Sequence, residues 1–458
     1  MLLLENSEWV EQNFGGSDLG HVARTARLKK TALNMLECPD SSLPTQNADW
    51  SDLKAAYRLF DRPEATLESI ASCHWRRTRK SLAKRCLLIS DTTDINHYSH
   101  DATEGLGMLG DGKGRGLQLH SCLMVDGENK NIEGIAGAMT YYRKRVPKKE
   151  TRAQRLKRTR ESQLWGNLVK DVGCPPDGST WIHVFDRGGD NYEALCNIVE
   201  QKCEWIIRAG KLNRSVLDVN GNKVWLGEAV KSAKELGRYE LTLRSRPGQA
   251  ARIAKLKVSS TSVTFPRPTR CSKYVKQCGI KEIKTNVVMV EEVNAPKGVE
   301  PIRWILLTSL PINTFNQAWQ VIDDYETRWT IEEYHKVIKT GCNIEGHALR
   351  TAERLEALIG LISIVGVRLL SLKTQARNAP ESAASRRVPS MWLKALKAMR
   401  PKLKLSELTA YAFFRELAKL GGFLGRKHDG EPGWQTIWRG YTKLQMIVKG
   451  IEIANSNR

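Results

Sequence analysis

Apolar positions change their spacing along the chain, and the changes divide it into a helical start, an α/β middle and a helical end. Up to about residue 75, the segments 21–30 and 52–60 repeat apolar side chains at helical spacing with basic residues beside them. The polar stretch 38–47, rich in Pro, Ser, Asp and Asn, predicts a loop between them. After residue 85 the pattern becomes short continuous apolar runs, the mark of strands buried on both faces. Residues 86–90 (CLLIS) form one such run, predicted to end at Asp91, and residues 181–185 (WIHVF) form another, ending at Asp186. Strands are also expected over 117–125, 132–140 and 204–208, with helices over 150–170 and near 190–202. That order predicts a mixed sheet with crossover helices.

Between about 211 and 310 the pattern is repeated strands with turns, as in 239–245, 251–265 and 285–290. We read this as a mostly β insertion within the α/β core. A long helix is predicted from Phe315 to about Lys339, followed by helices from about 350, with a break near 378–390. The most apolar stretch, 357–367, lies between Glu356 and Arg368 and is far shorter than the roughly 20 residues of a bilayer span. It is expected to be a buried core helix. The short apolar run at the start meets an acidic residue at Glu5, which does not fit a secretory signal. A soluble, cytoplasmic protein is the expectation.

A chain of 458 residues is expected to form two or three domains. Lys and Arg number 72 against 50 Asp and Glu, a net charge of +22 that favours a polyanionic partner such as nucleic acid. A soluble basic protein with solvated charges is the competing reading. Ten cysteines are present, but none forms a CxxC pair, so neither a zinc ribbon nor a disulfide framework is indicated. One run, 143–160, carries ten cations and a single anion. It reads either as a solvated face or mobile loop or as a phosphate contact.

Two apolar strands each ending in Asp would place Asp91 and Asp186 at one edge of a sheet. Either residue alone is equally well an ordinary turn residue. A third carboxylate makes the pair informative, and Glu332 supplies it. Tyr325, Arg328, Glu332 and Lys339 share one stripe of an ideal helix, from which Glu333 is turned by about 100°. Three carboxylates can hold two hard divalent cations, and cations on the same face can hold phosphates against them. The bland alternative is a surface helix with internal salt bridges.

The segment 325–339 (YETRWTIEEYHKVIK) resembles the Y-(2)-R-(3)-E-(6)-K signature of the insertion-sequence-four family of bacterial DDE transposases. Further similarity lies at 23–28, 56–60, 91–93, 120–121, 186–187, 301–309 and 420–423, so it runs nearly end to end. The resemblance implies a ribonuclease-H-like catalytic core over about 76–375 carrying the β insertion. It also implies a helical end-binding domain over 1–75 and a helical dimerisation domain over 376–458. Asp91, Asp186 and Glu332 match the family's metal-binding triad, with two Mg²⁺ as the default and Mn²⁺ as a substitute. Arg208, Trp304, Tyr325, Arg328 and Lys339 match contacts to the DNA end, with Trp304 stacking on a flipped base, and Lys336, one helical turn before Lys339, is a candidate contact beside them. Arg27, in the matching segment 23–28, is a further candidate contact.

Two of these have ordinary structural readings: Trp304 as a core residue and Arg208 as the partner of a structural carboxylate. The implied activity is cut-and-paste transposition by a homodimer synapsed on double-stranded DNA. Its steps are nicking, hairpin formation, hairpin opening and joining of 3′-hydroxyls to target DNA. A repair or junction nuclease with the same core and no strand transfer is the alternative. The sequence departs from the family at Asp94, a possible competing ligand, and in the unusually basic 143–160 run.

Overall fold

The structure is a computed structural model describing residues 4–456 except 48, 111, 147–148, 152–153, 156–157, 244, 246–249, 378–379 and 427–428. Part of the basic 143–160 run and the first residues of the expected break at 378–390 therefore lie outside the described residues. The described residues contain twelve strands of a mixed sheet: β1 (Arg85–Asn96), β2 (Gly107–Leu109), β3 (Gly114–Asp126), β4 (Ile132–Tyr141), β5 (Thr180–Phe185), β6 (Glu204–Arg208), β7 (Ser215–Leu217), β8 (Lys223–Trp225), β9 (Lys234–Leu243), β10 (Arg252–Pro266), β11 (Glu282–Glu292) and β12 (Arg303–Thr308). The core is ribonuclease-H-like, with helical N- and C-terminal regions. Two compact units divide the chain. The first comprises Met1–Ser81, Thr92–Lys144 and Ile331–Arg458; the second comprises Leu82–Asp91 and Arg145–Thr330.

In the second unit β1, β5 and β6 are parallel neighbours. Helix Tyr192–Glu200 makes the crossover from β5 to β6, as parallel pairing requires. Leu87, Leu88, Ile89, Ile182, Val184, Ile206 and Ile207 are fully buried, which accounts for the unbroken apolar runs in the sequence. The β insertion is built as expected from β7 to β12, and β12 pairs antiparallel with β6. The inserted strands therefore extend the core sheet from its β6 edge. One expectation fails: β1 does not stop at Asp91 but continues to Asn96. Its second half is polar and half-buried, so no apolar run announces it.

Helix Phe315–Thr327 begins with a capping box in which Thr314 and Gln317 satisfy each other's backbone N–H groups. The long helix expected to reach Lys339 is not uniform. It passes through Arg328 into Trp329–Lys336 and then widens into a π-helical turn over Val337–Gly341. A wider turn rotates each residue by less than the α-helical angle, so Lys339 leaves the stripe assigned to it by ideal periodicity. Of the helix predicted over 150–170, residues 154–155 and Leu164–Val172 are helical, the latter after a 3-10 turn at Glu161–Gln163, and residues 152–153 and 156–157 lie outside the described residues. The 38–47 loop contains a short helix, Leu43–Gln46, capped by Ser42.

The first unit carries the antiparallel strands β2, β3 and β4. Helix Leu67–Arg79 packs against β4 and against the long helix Ala352–Arg377. Gly360 permits that last approach, because a Cβ there would lie 3.0 Å from the Leu67 carbonyl oxygen. Ala352–Leu372 is the one described segment long and apolar enough to cross a membrane, and 94% of its most apolar window is buried in the fold. Residues 357–367 thus form a core helix, as expected. Helices Ala410–Leu420 and Trp434–Ser456 meet backbone to backbone through Gly421 and Gly440.

Candidate functional site

Two residues of the second unit lie level at one edge of its sheet. β1 and β5 pair in parallel from Arg85 opposite Thr180 to Ile89 opposite Val184. The same register carried two residues on sets Asp91 opposite Asp186, with strand axes about 4.8 Å apart. Asp91 lies within β1, while Asp186 follows β5 directly and caps the 3-10 turn Arg187–Gly189, its Oδ1 accepting the Gly188 N–H at 2.7 Å. Two carboxylates so placed repel each other and call for positive charge between or beside them. Arg328 supplies some of it: its Nη1 donates to Asp91 Oδ2 at 3.1 Å, with both side chains largely buried.

The helix bearing Arg328 is fixed to β1 by a second ion pair. Asp324, fully buried, accepts two hydrogen bonds from the Arg85 guanidinium and one from Gln320 Nε2 at 3.1 Å. Arg85 and Asp324 are far apart in sequence, and no local pattern announced the pair. One turn separates Asp324 from Arg328, so the start of β1 and Asp91 are each held by the same stretch of helix.

Four expected DNA contacts gather here. Tyr325 is buried, with the Arg208 charge at the end of β6 acting on its hydroxyl. Burial raises the Tyr325 pKa, while the Arg328 and Arg208 charges oppose the shift and Asp186 adds to it. Arg208 also reaches the Arg303 carbonyl at 3.5 Å, so it serves no structural carboxylate in the described contacts. Trp304 is half-buried on β12 with its ring edge-on to Tyr325, centroids 5.6 Å apart. The Arg328 guanidinium lies 6.0 Å from the Tyr325 ring and 5.8 Å from the exposed Trp329 ring. Asp91, Asp186, Arg208, Trp304, Tyr325 and Arg328 therefore belong to one neighbourhood of the second unit.

The remaining candidates lie in the first unit. Glu332, half-buried, sits one helical turn after Arg328 on a backbone that stays helical through Arg328. Buried His335 follows one turn later and was not singled out by sequence reasoning, although its spacing from Glu332 puts both on one face. Lys336 is exposed, its Nζ 6.0 Å from the Trp434 ring. Lys339, displaced by the π turn, is 3.5 Å from Glu345. Arg27 is paired with Asp52 at 2.8 Å and Lys30 shares that carboxylate at 2.6 Å. Asp94 accepts from Gln118 Nε2 at 3.0 Å, and alternation along β1 turns it to the face opposite Asp91.

Hard carboxylate oxygens that lie level on adjacent strands fit a hard divalent cation, whose charge relieves their repulsion. The ten cysteines form no disulfide, in keeping with their scattered spacing.

Comparison with protein-family models covers most of the chain in three parts. Residues 6–65 match a transposase DNA-binding model, residues 180–366 a transposase DDE domain, and residues 365–458 a Tn5 transposase dimerisation domain.

Proposed function

The chain belongs to the Tn5-like DDE transposases, metal-dependent enzymes that bind DNA and dimerise, and from that premise we propose a cut-and-paste reaction centred on Asp91, Asp186 and Glu332. The observation that carries the proposal is the shared register of Asp91 and Asp186, with Arg328 one turn before Glu332 and bonded to Asp91. The three carboxylates would hold two divalent cations, Mg²⁺ by default and Mn²⁺ as a substitute. Bound there, the ions would activate the attacking oxygen and stabilise the leaving oxygen of a phosphoryl transfer. Arg328 then exchanges its carboxylate partner for a phosphate of the DNA end, a trade its charge-assisted hydrogen bond allows.

The other side chains orient DNA. Arg208 and Tyr325 contact the end backbone, Lys336 and Lys339 extend that contact along the helix, and Trp304 offers a ring edge and face to an extruded base. Removing one base from the stack eases the turn of a hairpin. The reaction order is nicking, attack of the freed 3′-hydroxyl on the opposite strand, hairpin opening, and joining to target DNA. The helices of residues 1–75 would bind the ends, residues 76–375 would catalyse, and residues 376–458 would pair two chains in a synaptic complex.

The test is incubation of the protein with its element's terminal DNA and Mg²⁺. Hairpin-ended products are expected, and clean hydrolysis without hairpins indicates a nuclease instead. Glu332→Gln should lower nicking by roughly a thousandfold or more while end binding persists. Undiminished nicking would remove Glu332 from the triad.

A further inference from the structure

We propose that Cys196 and Cys278 are a reversible dithiol–disulfide pair, a modification site at which mild oxidation joins the core of the second unit to its β insertion. Cys196 lies in the middle of helix Tyr192–Glu200, the crossover that follows Asp186. Cys278 closes the short helix Lys273–Gln277 in the connection from β10 to β11. The two helices pack on each other. Residues 192, 196 and 200 are spaced one turn apart on a single face of the crossover helix. Two hydrogen bonds tie that face to the connection, one on each side of Cys196. The Tyr192 hydroxyl donates to the Ile280 carbonyl at 3.5 Å, and the Tyr274 hydroxyl donates to Glu200 Oε2 at 2.5 Å. The order 192, 196, 200 on the helix thus runs against 280, 278, 274 on the connection, which sets the two thiols opposite each other.

The ionisation of the neighbourhood agrees. The Cys196 pKa is raised first by burial and next by the Cys278 thiol. Tyr192 and Tyr274 are also raised chiefly by burial, and each feels both sulfurs. Access to the pair is one-sided. Cys196 is fully buried, whereas Cys278 is half-buried, its thiol donating to the Val275 carbonyl at 3.3 Å. A peroxide therefore meets Cys278 first, takes its sulfur to a sulfenic acid and releases one water. The Cys196 sulfur then attacks the Cys278 sulfur and the S–O bond breaks. The departing hydroxide leaves as a second water with the proton of Cys196. Two thiols give up two electrons and two protons, and the peroxide accepts them all. The bond fastens the β10–β11 connection to the crossover helix, and a dithiol reductant reverses it.

Trypsin can test the pairing directly. Cleavage after Arg187, Lys202, Arg270, Lys273, Lys276 and Lys281 puts Cys196, Cys271 and Cys278 on three separate peptides. The full chain is treated with hydrogen peroxide while folded, then unfolded in urea with N-ethylmaleimide to block the remaining thiols, and digested without reduction. Mass spectrometry should find peptide 188–202 joined to peptide 277–281, lighter than their sum by two hydrogens. The link should vanish when dithiothreitol is added before the blocking step. Cys271→Ser should keep the link, and Cys278→Ser should abolish it. Cys278 joined to Cys271 instead, or Cys278 carried to a sulfinic acid while Cys196 is recovered blocked, overturns the proposal. Recovery of both cysteines blocked after peroxide overturns it as well. The transposase reading is untouched by any of these results, because the pair lies outside the carboxylate site and its measurement needs no DNA.

Discussion

The N-terminal helices and the sheet edge of the second unit both join basic side chains to carboxylates, yet the pairs differ in burial. Near the start of the chain Arg24–Glu64 and Lys29–Glu11 are open to water, with Glu64 and Glu11 about half exposed or more, while Arg27–Asp52 is partly buried. At the sheet edge Asp324 is fully buried under Arg85, and Arg328 and Asp91 are 12% and 14% exposed. An exposed pair is screened and easily exchanged, so its cation remains available to a phosphate. A buried pair has surrendered its hydration and is costly to break from one side. The contrast predicts that the same chemistry serves recognition in the first place and construction in the second.

The largest effect follows from breaking the construction. Arg85→Ala removes the guanidinium that neutralises the buried Asp324 carboxylate, and a loss of about 3–5 kcal/mol of stability is expected in denaturant unfolding. The double variant Arg85→Ala, Asp324→Ala should recover part of that loss, because it removes the stranded charge as well. A single variant as stable as wild type would show that the pair contributes nothing to fixing the helix on β1.

Burial without a charged partner gives the next effect. His74 and His183 are fully buried and their pKa values are lowered by burial to about 3; His97 is lowered, also chiefly by burial, to about 4. His74 is held neutral by design, bonding Asn13 through Nδ1 at 2.6 Å and accepting the Ile135 N–H at 3.0 Å. In the unfolded chain these rings protonate near pH 6.5, so the unfolded state binds more protons below that value. Their contribution to stability is thus complete above about pH 6.5 and is lost as pH falls towards 3–4. Unfolding at pH 7, 6 and 5 should show a decline of up to about 1.4 kcal/mol per pH unit for each histidine. His74→Gln should flatten the decline, and a pH-independent wild type between 7 and 5 would contradict it.

How much of this was legible in the sequence depended on the range of the interaction. The apolar runs before Asp91 and Asp186 fixed two strands correctly, because burial on both faces leaves a local signature. The polar continuation of β1 to Asn96 has no such signature and was missed. The register of Tyr325, Arg328 and Glu332 follows from local helical geometry. The π turn at Val337–Gly341 comes from shifted backbone hydrogen bonds, which side-chain periodicity does not encode. Arg85–Asp324 was invisible for a different reason: residues far apart in sequence meet only through the tertiary fold.

The smallest effect on stability, and the sharpest test of the contrast, concerns Arg27. Lys30 and then Arg27 hold the Asp52 carboxyl below its ordinary pKa, and both cations compete for one acceptor. Removal of Arg27 leaves Lys30 in place, so Arg27→Ala should keep the thermal midpoint within about 2 °C of wild type. Its affinity for terminal DNA should fall, because a partly exposed arginine can leave Asp52 for a phosphate oxygen. Asp52→Asn tests the same idea from the other side. That change releases both cations from the carboxylate, and end affinity should rise with a steeper dependence on salt. If Arg27→Ala binds ends as wild type does and Asp52→Asn leaves the salt dependence unchanged, the pair is structural after all. Partial exposure would then be insufficient to mark a cation for recognition.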